Sequence, residues 1–155
     1  MMLDLLSTNS DWTQTIVRLV LGIVFFAYGA QKLLGWFGGA GLKETIRTMH
    51  EFIGLPVPLA FAAVATEFLG GLGLMAGLLS RVAAAGIGLT MLSAIVMVHR
   101  RYGLFLNWFG DRKGHCYEYH LLAIALAAVI IVRGSGAVSL DRLLSTHFTL
   151  STYLT

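Results

Sequence analysis

The sequence predicts an all-α integral membrane protein, a four-helix bundle with a short amphipathic surface helix in its first loop. Three observations predict it. Hydrophobic residues make up 57% of the 155-residue chain and charged residues only 12%, against roughly 25% charged in soluble domains, so a soluble fold could not hide the apolar surface. The mean hydropathy of +0.77 is gathered into four runs, each near the ~20 residues that cross a hydrocarbon core about 30 Å thick. Those runs and their connections nearly exhaust the chain, leaving room for one domain, residues 1–155.

The first run, about Thr13 to Leu34, is long enough to span. No basic region precedes it and it is too long for the core of a signal peptide, so it is expected to be a retained helix and not a cleaved leader. The second, about Leu59 to Leu79, is entered through Pro56 and Pro58, at positions where a helix start tolerates proline. A short connection at Ser80 and Arg81 leads to the third, about Val82 to Val98, which makes the second and third an antiparallel hairpin. The fourth, about Tyr117 to Val132, is counted as spanning, although its purely apolar part approaches the length at which a re-entrant or core helix competes.

Between the first two runs a glycine-rich WFGG-type stretch, Gly35 to Gly41, precedes Leu42, Ile46, Met49 and Ile53 at helical spacing, opposite Lys43, Glu44, Arg47, His50 and Glu51. That pattern predicts an amphipathic helix on the membrane surface. The third loop, His99 to Cys116, mixes Leu104, Phe105, Leu106, Trp108 and Phe109 with Arg100, Arg101, Asp111, Arg112 and Lys113, and is expected to dip into the interface. Trp12 marks one membrane face, Trp36 and Trp108 the other. Gly22 and Gly29, the Gly73/Gly77 pair, and Ala84 with Gly88 are the small residues through which helices are expected to touch, since close packing must hold a bundle together in lipid. The Gly73/Gly77 face is also a candidate for oligomer formation. After Gly134 and Gly136 a short polar-capped helix is expected from Ser139.

The formal charge of +3 comes from eleven Lys and Arg residues set in short loops beside apolar runs, which points to the lipid bilayer and anionic headgroups as partner, not to nucleic acid. Cys116 is the single cysteine, so an internal disulfide and a dithiol redox pair are both excluded.

In a four-helix hairpin array, loops one and three share one membrane face. Tyr28, Gln31 and Lys32 at the end of the first helix, Glu67 in the second, His99 closing the third, and Glu118 and His120 opening the fourth then belong to one half of the bundle. At 1.5 Å per residue Glu67 is expected about 12 Å deep and Tyr28 about 9 Å. An ionised carboxylate at that depth costs at least about 2.5 kcal/mol, so it should be protonated or meet a cation, and Lys32 is within reach. Arg18, Gly22, Phe25, Gly29 and Lys32 follow one helix face. Arg18 is too far along it to reach Glu67 and is expected to pair near Arg81 or with a phospholipid headgroup.

Each residue has a plainer alternative. Glu67 would serve as a structural ion-pair member, and Lys32 and Arg133 as snorkelling anchors. The run HCYEYH, His115 to His120, invites a copper or zinc site, but no second ligand set at recognisable spacing accompanies it, so no metal is assigned. Tyr117 and Tyr119 read as interfacial aromatics, and Met75, Met91 and Met97 as core. No flavin, haem or iron–sulfur motif is present.

The segments RLVLGIVFFAYGAQKL, GWFGGAG, GLPVP, TEFLGGLGLMAGLLSR, His99 and NWFGDRKGHCYEYHLL, in that order over Arg18 to Leu143, resemble the DoxX family of bacterial membrane proteins. The resemblance implies a four-helix subunit of the bacterial inner membrane. The family is named from a thiosulfate:quinone oxidoreductase, and its other members accompany sulfur-handling or superoxide-detoxifying enzymes. Arg18, Gly29, Lys32, Glu67, Arg81, His99 and Glu118 match its pattern; the His115–Cys116 pair does not.

The preferred reading is a membrane component of a quinone-linked oxidoreductase, fed with electrons by other membrane or peripheral redox subunits. Glu67 would exchange protons, Lys32 and His99 would bind the quinone carbonyls, Tyr28 and Phe25 would hold the ring, and Arg18, Gln31, Arg81, Glu118 and His120 would complete the ligand set. A non-catalytic accessory subunit that anchors a larger complex is the alternative, and an oligomeric permease a third. Loops one and three with their helix ends carry seven basic residues against four elsewhere, which places them in the cytoplasm.

Overall fold

The computed structural model describes residues 11–105 and 116–153, with side chains through Thr146. Six α-helices follow one another there: α1 Trp12–Leu34, α2 Gly41–Ile53, α3 Val57–Ala76, α4 Ser80–Met97, α5 Glu118–Arg133 and α6 Leu140–Tyr153. Two 3-10 turns, Trp36–Gly38 and His99–Tyr102, follow α1 and α4. Leu106, Trp108, Phe109, Asp111, Arg112, Lys113 and His115, expected at the interface or as ligands, lie outside the described residues.

Local chemistry sets the helix ends. Asp11 caps α1, its carboxylate accepting from the Thr13 N–H at 2.8 Å, and Gly35 ends the helix in the left-handed region at φ +73°, where a residue without Cβ meets no steric penalty. The α3–α4 turn lies earlier than the sequence suggests. Gly77 breaks α3 at φ +69° and Ser80 is already helical, because Leu79 is itself held at φ +48°. A leucine there is strained, and its N–H is tied to the Asp141 carboxylate at 2.6 Å.

α1, α3 and α4 are each long and apolar enough to cross a membrane; α5, at 16 residues, is two residues shorter than α4. α1 packs chiefly on α3, α3 on α4 and α4 on α5, with α5 returning to α1. The core between them holds Leu21, Phe25, Leu74, Ile87, Met91 and Ile130. The α1–α3 seam is backbone on backbone: a Cβ on Gly29 would lie 2.5 Å from Phe68 Cα, and one on Gly71 would lie 2.3 Å from the Phe26 nitrogen. Gly22 and Gly29 thus do what their spacing suggested. Gly88 meets Ala127 across the α4–α5 seam at an ordinary 3.7 Å.

Gly73 and Gly77 have neighbours within the chain. A Cβ on Gly77 would strike Ser139 at 2.6 Å, and one on the half-buried Gly73 would sit against Leu78 and Ala83. Gly77 is not helical at all.

The segment after α5 carries the expected polar-capped helix: α6 starts at Leu140, and the Ser139 hydroxyl accepts from the Arg142 N–H at 3.3 Å. It does more than that, since Gly134, Ser135, Gly136, Ser139 and Asp141 are buried and lock the end of the molecule opposite loops one and three. Asp141, fully buried, receives the N–H groups of Leu79 and Ser80 and the Ser135 hydroxyl. Its carboxylate therefore caps α4 from 61 residues away, doing for that helix what a local N-cap residue ordinarily does. Arg18 enters the same knot. Its guanidinium donates to the carbonyls of Ser135 at 2.9 Å, Met75 at 2.9 Å, Val138 at 2.6 Å and Leu74, so it pairs with backbone oxygens in the knot that Ser80, the neighbour of Arg81, also enters. The physical reason is that Gly77 leaves room for the guanidinium carbon, only 3.1 Å from where a Cβ would be.

Candidate functional site

Gly29 packs on Phe68, and Lys32 lies three residues further along the same face of α1. This brings the ammonium group to Glu67, the neighbour of Phe68 on α3. Lys32 Nζ donates to Glu67 Oε1 at 2.7 Å and to Oε2 at 2.5 Å. The carboxylate is 3% exposed and the lysine 29%. Because α3 starts at Val57, Glu67 stands roughly 15 Å from the helix start, deeper than the sequence reading put it and close to mid-helix. A carboxylate so placed needs a cation and hydrogen bonds to be tolerated, and Lys32 supplies both.

The pair faces a cavity of about 520 Å³, within the range of ligand pockets. One end is polar, formed by Lys32, Glu67, His99 and His120. The rest is a largely apolar wall from three helices: Leu59, Ala62, Ala63 and Thr66 of α3, Gly86, Leu89, Thr90, Ser93, Ala94 and Met97 of α4, and Met49 and Ile53 of α2 with Leu55 beyond it. The His99 and His120 rings lie 4.2 Å apart between centroids, tilted by 38°. His120 is buried, and its Nδ1 has no hydrogen-bond partner among the described residues. An imidazole nitrogen withheld from water without a partner costs free energy that a bound group can recover.

Of the residues singled out by sequence, Lys32, Glu67, His99 and His120 are brought together. The others are not on the cavity wall. Tyr28 is exposed and packs its ring 5.8 Å from Tyr119, while Phe25 belongs to the core. Gln31 is half-buried beneath the glycine-rich turn, its backbone oxygen 2.2 Å from where a Cβ on Gly39 would sit. Glu118 opens α5, its N–H donating to the Leu104 carbonyl at 3.2 Å. Arg18 and Arg81 sit at the opposite end of the molecule, Arg81 donating to the Ile131 carbonyl at 2.5 Å.

Loop one was expected to lie over the polar cluster as a lid, and Met49 and Ile53 of α2 do line the cavity. Sequence reasoning missed Asp141, whose sole signal was an acid in the first turn of a short helix. Among the described residues, no three His, Cys, Asp or Glu side chains are grouped to hold a metal ion; Cys116 is half-buried and free.

Comparison with known proteins agrees with this architecture. The DoxX family profile matches residues 13–100, which include α1 to α4 and the Lys32–Glu67 pair. A protein of Bacillus subtilis (strain 168) named "Putative oxidoreductase CatD" is 34% identical over 126 residues, covering 81% of this chain and 82% of the relative. No solved structure matches the chain. With a family profile over more than half its length, a relative aligned over four-fifths of it, and three helices fit to cross a bilayer, the chain is an integral membrane protein and belongs to the DoxX family.

Proposed function

We propose that this protein is a four-helix subunit of a quinone-linked redox system in the bacterial inner membrane, and that its cavity binds the quinone head. In this reading α5 spans with α1, α3 and α4, and α2 rests at the membrane surface as the cavity's roof. The observation that carries it is the buried Lys32–Glu67 pair at the polar end of an otherwise apolar cavity. The words "Putative oxidoreductase" in the name of the Bacillus subtilis relative support the redox setting.

The donor set fits the group. A quinone head presents two carbonyl acceptors on a flat apolar ring. Lys32 and the two imidazoles are donors or acceptors at one end, and the alanine, leucine and methionine wall suits the ring and the start of a prenyl tail. When bound, quinone supplies reversible two-electron, two-proton redox chemistry. The chain's own residues hold the carbonyl oxygen by Lys32 or His120, exclude water with Met49 and Ile53, and keep a proton-exchanging carboxylate at Glu67, with half-buried His99 between it and the loop side. Electrons come from a partner subunit.

The test is quinone extracted from protein purified in mild detergent, together with electron transfer in membranes. The wild type should retain quinone, and Glu67→Gln should lose most of it along with the electron transfer. Unchanged quinone content and unchanged transfer in Glu67→Gln would discard the reading.

A further inference from the structure

We propose that the cavity is filled side-on from the bilayer, by a membrane-dissolved amphiphile with an uncharged hydrogen-bonding head, and that Nδ1 of His120 is the atom that holds that head. This rests on the cavity being a ligand site, as above, and adds the ligand's class, its route and the residue that positions it.

The route follows from where the rim lies. Leu59 is 57% exposed and Leu89 is 66% exposed, and with Ala62 and Ser93 they line the cavity and the outer surface at once. Leu59 is the third residue of α3 and Leu89 the tenth of the eighteen residues of α4, so the slot between α3 and α4 runs from near the loop end of the bundle down to the depth of the hydrocarbon. On the loop side the cavity is lined by the apolar residues Met49, Ile53 and Leu55. A solute from water would have to pass that roof, whereas a lipid-dissolved molecule meets an open slot.

The head class follows from what is already satisfied. Both oxygens of Glu67 are taken by Lys32, and the pair is neutral as a unit, so it leaves no unmatched charge for an ionic head. The hydroxyls of Thr90 and Ser93 are turned back onto the carbonyls of Gly86 and Leu89, at 3.0 and 2.9 Å, as such residues do in helices. They offer the cavity little to bind. The buried Nδ1 of His120 remains without a partner among the described residues, and by tautomer choice an imidazole nitrogen serves either a hydroxyl or a carbonyl.

The full chain, in nanodiscs of phosphatidylcholine, is exposed to a long-chain alkylphenol with a diazirine in its chain, and separately to the carboxylate of equal chain length. The phenol should label α4 around Leu89 to Met97. Leu89→Trp, which fills the slot, and His120→Phe, which keeps a ring and removes the nitrogen, should each lower labelling about tenfold, the size of one buried hydrogen bond or one blocked entry. Leu122→Trp, on the far side of the bundle, should leave it unchanged, and the carboxylate should label weakly.

Labelling undiminished in Leu89→Trp overturns side-on entry, also if His120→Phe fails to fold. Labelling undiminished in a folded His120→Phe overturns the head assignment. Equal labelling by the carboxylate overturns the uncharged class. Competition by a decyl benzoquinone separates the two readings: phenol labelling that follows this pattern but resists the quinone sinks the quinone function and leaves this proposal standing.

Discussion

Replacing Lys32 by methionine removes the cation from Glu67 while keeping a side chain of similar length on the seam. The stranded carboxylate is 3% exposed and near mid-helix. Removing one partner of a buried pair costs about 3–5 kcal/mol, and insertion scales give about 2.5–3.5 kcal/mol for an acid at the helix centre. The two routes agree on about 3 kcal/mol, or two orders of magnitude in the unfolding equilibrium at about 1.4 kcal/mol per decade. Replacing both residues, Lys32→Met with Glu67→Met, leaves no buried charge and no unpaired amide and should cost less than about 1 kcal/mol, since exchanging a whole buried pair for apolar side chains of similar volume is often near neutral. The assay is reversible unfolding by sodium dodecyl sulfate in mixed micelles, followed by circular dichroism, for the wild type, both single variants and the double variant. A double variant as unstable as the sum of the single ones would refute the reasoning, because the cycle would then contain no coupling between the two side chains.

Three further outcomes follow from the packing. Arg18→Leu leaves four carbonyl oxygens without their charged donor and should cost about 3 kcal/mol or more, exposing the segment after Gly134 to limited proteolysis, while Arg18→Lys restores only part because one ammonium cannot reach all four. Asp141→Asn keeps one acceptor oxygen for the two N–H groups and the hydroxyl now sharing the carboxylate, and should lower stability by about 1–3 kcal/mol, with faster hydrogen exchange at Leu79 and Ser80. Gly29→Ala forces a methyl into the Phe68 backbone at 2.5 Å and should destabilise by about 1–3 kcal/mol, whereas Gly88→Ala meets Ala127 at 3.7 Å and should be neutral or stabilising by up to about 1 kcal/mol; the same unfolding assay ranks the pair, and equal losses would contradict the seam as described.

Helix positions were legible from sequence to within about three residues at each end, because apolar run length and glycine or proline punctuation are local signals. The α3–α4 turn was the larger displacement, since it depends on Leu79 adopting a left-handed conformation, which no propensity favours and which the distant Asp141 carboxylate supports. Lys32, Glu67, His99 and His120 were legible as one group through hairpin topology alone. Tyr28, Gln31 and Glu118 share that membrane face but point elsewhere, because a face fixes height along the bundle and not azimuth around it.

By itself the sequence determined that the chain is helical and membrane-borne, since its polarity is too low for water and a spanning helix satisfies its own backbone. It also determined that a buried acid would need Lys32. Only the tertiary structure decided what Arg18 holds, how Asp141 caps a helix 61 residues away, and that α2, α3 and α4 enclose a cavity opening sideways. Those outcomes depend on which faces meet across long separations in the chain, and side-chain periodicity carries no record of the partner it will find.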